Sequence, residues 1–179
     1  MLLTDNTVLL IVDIQSKLAH LMHEKEILYE NVSKTIRGAQ ILDIPILLTE
    51  QYPEGLGPTI PEVAGLFADP EPISKISFSC CGEDRFMQAL NALHPENILV
   101  AGIETHVCVY QTAAELVEKG YNVEVVSDAV SSRTAENAEL GCEKIVGAGA
   151  ELTSVEMVLF ELLGDSKHPA FKDILKLVK

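Results

Sequence analysis

The stretch NILVAGIETHVC, residues 97–108, decides the fold. Its first half is an uninterrupted apolar run after Asn97, as expected of a strand covered on both faces. Its second half turns beyond Gly102 and opens a helix from about Thr105 to Lys119, with Gly120 as the stop signal. The same strand-to-helix rhythm recurs on either side. Upstream, TVLLIV (7–12) and PILLT (45–49) read as buried strands separated by helical spacing over 27–42. QYPEGLGPTIPE (51–62) carries three Pro and two Gly, so it reads as a loop. A short strand is expected at 72–76 and a helix at 83–93. Downstream, NVEVVS (122–127) and 150–153 read as strands, with helices at 134–147 and 154–163. The amphipathic end FKDILKLVK is suited to pack on the core or on another subunit. Strands alternating with helices predict an α/β fold. It is doubly wound, with a mostly parallel six-stranded sheet between helix layers, an α/β/α sandwich. No repeat or linker divides the chain, which reads as a single domain over residues 1–179.

Composition narrows the partners. The chain is 47% hydrophobic and 22% charged, near the average for a globular protein. Its 13 Lys and Arg stand against 27 Asp and Glu, a formal charge of −14. Such a surface repels phosphate backbones and anionic bilayers, so neither nucleic acid nor membrane is an expected partner. The N-terminal MLLTDNTVLL has no cation before Lys17, unlike a secretory signal. Cys80, Cys81, Cys108 and Cys142 form no C-x-x-C pair and read as reduced thiols, so a cytoplasmic location is expected.

In sheets of this kind ligands bind beyond the carboxyl ends of the strands. Three reactive side chains are expected there. Asp13 follows the apolar run LLIV; it could equally cap the next helix. Lys75 is the single cation between residues 38 and 84, against eight acids, inside an apolar strand-like segment. An edge lysine that discourages strand pairing is the ordinary alternative. Cys108 falls at the N3 position of a helix with Thr105 as N-cap. There the first-turn N–H groups would lower a thiol pKa and hold an oxyanion. A small buried hydrophobe is its ordinary alternative.

With VDIQ around Asp13, ISKISFS around Lys75 and the long block 102–133 around Cys108, the chain resembles the isochorismatase-like cysteine hydrolases. The likeness extends to GAELTSVEMVLFELL near the C-terminus, and TEQYPEGLG (49–57) resembles the branch called isochorismatase domain-containing proteins. The resemblance implies a catalytic triad of Asp13, Lys75 and Cys108. It also implies an oxyanion hole from the Glu104 and Cys108 N–H groups and a cis peptide between Ile103 and Glu104. The reaction it suggests is acyl transfer through a thioester, most plausibly on a small amide. Gln15, Gln51, Tyr52, Phe78 and His106 adjoin the motifs and are candidate substrate contacts.

Departures from the family narrow this further. Nicotinamidases of the family bind a metal through an Asp and His pair, where this chain has Gln51 and Pro53. His20, His23, His94 and His168 offer no substitute and are expected to face solvent. No metal or cofactor is therefore expected. True isochorismatases cleave a vinyl ether without a cysteine nucleophile, so the intact Cys108 argues against that reaction. A non-enzymatic scaffold retaining the fold is one alternative. A thiol redox sensor, with Cys80 or Cys81 as resolving partner, is another. Small hydrolases resembling this one associate as dimers or tetramers, so a homo-oligomer is expected.

Overall fold

The computed structural model describes residues 2–179. Its six strands are β1 (Thr7–Val12), β2 (Ile46–Gln51), β3 (Ile73–Lys75), β4 (Asn97–Ile103), β5 (Asn122–Ser131) and β6 (Glu151–Thr153). All pair in parallel, in the order β3-β2-β1-β4-β5-β6. The chain therefore builds outward from β1 through β2 to β3, then returns to lay β4 against the other side of β1. That reversal is the topological switch point, where the carboxyl ends of β1 and β4 leave room for a site.

The alternation along β1 explains the two layers. Leu9 and Ile11 join one core with Leu99, Ala101 and Ile103. Val8, Leu10 and Val12 join the other with Ile98 and Val100. Because strand side chains alternate between faces, a run of six buried residues requires helices on both sides. The first face is covered by α1 (Lys25–Ile41), α5 (Val155–Leu163) and α6 (Phe171–Val178), through residues such as Val32, Leu159 and Ile174. The second is covered by α2 (Asp84–Leu93), α3 (Tyr110–Glu118) and α4 (Ala135–Gly147), through Phe86, Leu116 and Ile145. Each such side chain contributes about 1.5–3 kcal/mol of burial.

The architecture follows the expectation, and the departures are local. The proline-rich loop at 51–62 contains two single helical turns, Pro53–Leu56 and Pro61–Ala64, each with Pro in its first turn. β5 runs four residues past its expected end. Its pairing with β4 is irregular between Val100 and Gly102, so the exposed Ser127 and Asp128 precede a second paired stretch. The C-terminal amphipathic segment packs on its own core, with Ile174 fully buried. His20, His23 and His94 face solvent. His168, expected to face solvent, is instead half-buried, and its Nδ1 accepts a hydrogen bond from the Ala170 N–H at 3.1 Å.

Candidate active site

The end of β1 sets the geometry. Asp13 takes a left-handed φ of 52°, unusual for a residue with a side chain, and is 1% exposed. Its Oδ1 accepts a hydrogen bond from Thr49 Oγ1 at 2.8 Å, from the neighbouring β2. Its Oδ2 accepts one from Lys75 Nζ at 2.6 Å, from the end of β3. A carboxylate without water is stable only when paired, and this one has a cation and a hydroxyl. Thus neither ordinary alternative holds: Asp13 caps no helix through its side chain, and Lys75, 2% exposed, is no edge charge.

Lys75 is held from every side. Besides Asp13, its ammonium donates to Gln51 Oε1 at 2.9 Å and to the carbonyls of Phe78 at 3.0 Å and Ser77 at 3.3 Å. Burial pushes its pKa down, but the opposing influence of its surroundings, the Asp13 charge and hydrogen bond foremost, outweighs this, and the net direction is upward. The ammonium stays charged.

Cys108 enters from β4. Gly102, with φ +127°, lets β4 press against β1; a Cβ there would sit 2.1 Å from the Val12 carbonyl oxygen. Beyond it the Ile103–Glu104 peptide is cis. The expected helix from Thr105 begins instead as a π-type turn, Thr105–Val109, before α3. Thr105 is not the N-cap: Glu104 holds that position, and the buried Thr105 hydroxyl makes no hydrogen bond. The thiol is also not the low-pKa group expected of a helix N-terminus. Burial first, then the Asp13 charge, push it up to about 12, with Lys75 only partly opposing them. The wider π turn sets the sulfur beside a buried carboxylate, and that environment outweighs the backbone dipole.

Asp13 and Cys108 face one cavity of about 100 Å³, with Lys75 behind Asp13 and not in the lining. Asp13, Glu104 and Cys108 line it together with Gln51 and the apolar Leu18, Leu56, Phe78, Ile103 and Val107. Of the candidate substrate contacts, Gln51 and Phe78 are in the lining. Gln15, Tyr52 and His106 are not, for three separate reasons. The Gln15 amide, fully buried, accepts from the Gln51 N–H at 2.7 Å and donates to the carbonyls of Gly57 at 2.7 Å and Gln51 at 3.0 Å. It pins the 52–60 loop over the site. The Tyr52 side chain lies over Gly55 and is half exposed, while His106 Nδ1 is hydrogen-bonded to Ser132 Oγ at 2.9 Å.

Two contributors escaped the sequence reading. Thr49 orients Asp13, and its signal was a lone hydroxyl ending the apolar run PILLT. Arg133 neutralises Glu104, donating to Oε2 from Nε at 3.0 Å and from its backbone N–H at 3.2 Å. That pairing spans 29 residues and left no local trace. Cys80 is fully buried, with its sulfur 3.8 Å from Thr49 Oγ1 and its thiol pushed up to about 12 by burial. Among the described residues all four cysteines are free, and no group of three or more His, Cys, Asp or Glu could hold a metal. No described helix is long and apolar enough to cross a membrane.

The isochorismatase domain matches residues 7–157, and the chain belongs to that family. Isochorismatase domain-containing protein 2 of Bos taurus is 38% identical, over 99% of this chain and 85% of its own length. Among solved structures, the MAR1 ribonuclease of Caenorhabditis elegans superposes with a TM-score of 0.92 at 38% identity, covering 99% of this chain and 91% of that one. YcaC of Pseudomonas aeruginosa, solved with hexane-2,5-diol and covalent acrylamide, gives 0.91 at 26% identity, over 98% and 90%. YcaC of Escherichia coli, described as an octameric hydrolase of unknown specificity, gives 0.88 at 26%, over 98% and 94%.

Proposed function

We propose that this protein is a cysteine hydrolase that cleaves small amides or related acyl compounds through a thioester on Cys108. The observation that carries the reading is the fully buried Asp13–Lys75 pair at 2.6 Å, whose Asp13 lines the same small cavity as Cys108. A buried ion pair is a poor way to gain stability, so its place beside a nucleophile argues for chemistry.

The raised thiol pKa suits a general-base mechanism. Cys108 stays protonated until a carbonyl carbon is in reach. As the sulfur–carbon bond forms, the thiol proton passes to Asp13, and Lys75 offsets the negative charge that builds nearby. The Glu104 and Cys108 N–H groups would hold the oxyanion; the Glu104 N–H donates to no backbone acceptor among the described residues. Asp13 returns the proton to the departing amine, leaving the acyl group on sulfur. Water, deprotonated by Asp13, then attacks the thioester, releasing the acid and restoring the thiol.

Ribonuclease activity, named for the Caenorhabditis elegans structure, accords poorly with a net charge of −14 and a cavity of about 100 Å³. The octamer of Escherichia coli YcaC supports a homo-oligomer here as well. Screening short-chain amides for ammonia release tests the proposal. Wild type is expected to turn over at least one, and Cys108→Ala to lose at least a thousandfold; equal rates would remove Cys108 from the mechanism.

A further inference from the structure

We infer that the site selects uncharged substrates with a short apolar side and rejects carboxylate-bearing ones. The inference rests on the cavity assigned above to hydrolysis, and on how every charge around it is already committed.

An anion entering a water-poor cavity needs a cation or several free donors. No free cation is on offer, and the Glu104 and Cys108 N–H groups, the donors assigned to the oxyanion, are taken up by the reacting carbonyl. The three N–H groups of Lys75 face four protein acceptors, the carboxylate of Asp13 among them. Arg133 lies outside the lining and is engaged by Glu104. Glu104 and Asp13 are acids that line the cavity while their counter-ions, Arg133 and Lys75, do not, so an incoming carboxylate meets two like charges. Lys17, the cation nearest in sequence to the lining, donates to the Gly55 carbonyl at 2.7 Å and is exposed outside the cavity.

The walls and rim point the same way. A volume of about 100 Å³ holds roughly three water-sized groups, enough for an amide head and a short chain. Phe78, in the wall, is 55% exposed, and Ile76, just past the end of β3, is 72% exposed. Exposed large apolar residues beside an apolar pocket offer a surface for an aliphatic or aromatic group continuing outward. Discrimination then comes from repulsion of the wrong substrate as much as from attraction of the right one.

Paired alkylating reagents test this without requiring turnover. Iodoacetamide and iodoacetate differ chiefly in charge, and both lose iodide to a thiol. Rates are measured at Cys108 and, by peptide mapping of the same samples, at Cys142, a half-buried thiol of α4 outside the cavity. The iodoacetamide-to-iodoacetate preference is expected to be at least thirtyfold larger at Cys108 than at Cys142. A preference within threefold of that at Cys142 would overturn the inference. Leu56→Arg, which adds a cation to the lining, is expected to shrink the excess at least tenfold; an unchanged excess would equally overturn it. Failure of the thioester reading is a separate outcome: the charge preference persists while no amide acylates Cys108.

Discussion

At the scale of single residues, the chemistry depends on three groups whose burial would be costly alone. Asp13 is tolerable because Thr49 and Lys75 satisfy it, and Lys75 because Asp13 and three further oxygens surround it. The thiols of Cys80 and Cys108 are tolerable because they stay neutral. That neutrality has a consequence for stability. In the unfolded chain both ionise near their ordinary value of 9.0, whereas in the fold they hold their protons up to about 12. Above pH 9 the folded state binds more protons than the unfolded one, so stability falls as pH rises. Urea midpoints are expected to decline between pH 9 and 11. In Cys80→Ala the decline should be shallower by on the order of 1 kcal/mol per pH unit. A slope identical to wild type would contradict the buried, neutral thiol.

At the scale of elements, the site exists because β1 and β4 approach closely at the switch point. Gly102 has no side chain there because one would occupy the Val12 backbone. Gly102→Ala is expected to destabilise the protein by about 3 kcal/mol, from the positive φ and the forced separation of the strands. Denaturation checks this, and a loss below about 1 kcal/mol would mean the strands can part freely. Elements with a strong local pattern were legible in the sequence: the apolar runs of β1, β2 and β4, and the helical spacing of α1. What was not legible depended on contacts distant in the chain. The π turn at Thr105–Val109 is fixed by its surroundings; Gly141, on α4, lies so close that a Cβ there would meet the His106 backbone at 2.8 Å. The far end of β5 is likewise a strand only because β4 pairs with it. Asp13, Lys75 and Cys108 were legible as isolated charges and a helix-start thiol. The raised thiol pKa was not, since it arises from burial and from the charge of Asp13, 95 positions away in the chain.

At the scale of the whole molecule, the excess acid lies on the surface and the site is nearly charge-compensated. Asp13 is matched by Lys75 and Glu104 by Arg133, while the remaining negative charge favours solubility. The doubly wound fold gathers these pairs and the thiol from four separate strand ends, with Asp13, Glu104 and Cys108 lining one cavity. Their common purpose, in this account, is to let one sulfur carry an acyl group. Acid-quenched intact-mass analysis during turnover of a short neutral amide tests that most directly. The account predicts wild-type protein carrying one acyl group, mapped to the Cys108 peptide and absent from Cys108→Ala. Turnover that proceeds in Cys108→Ala, with the wild-type protein at its unmodified mass, would contradict it.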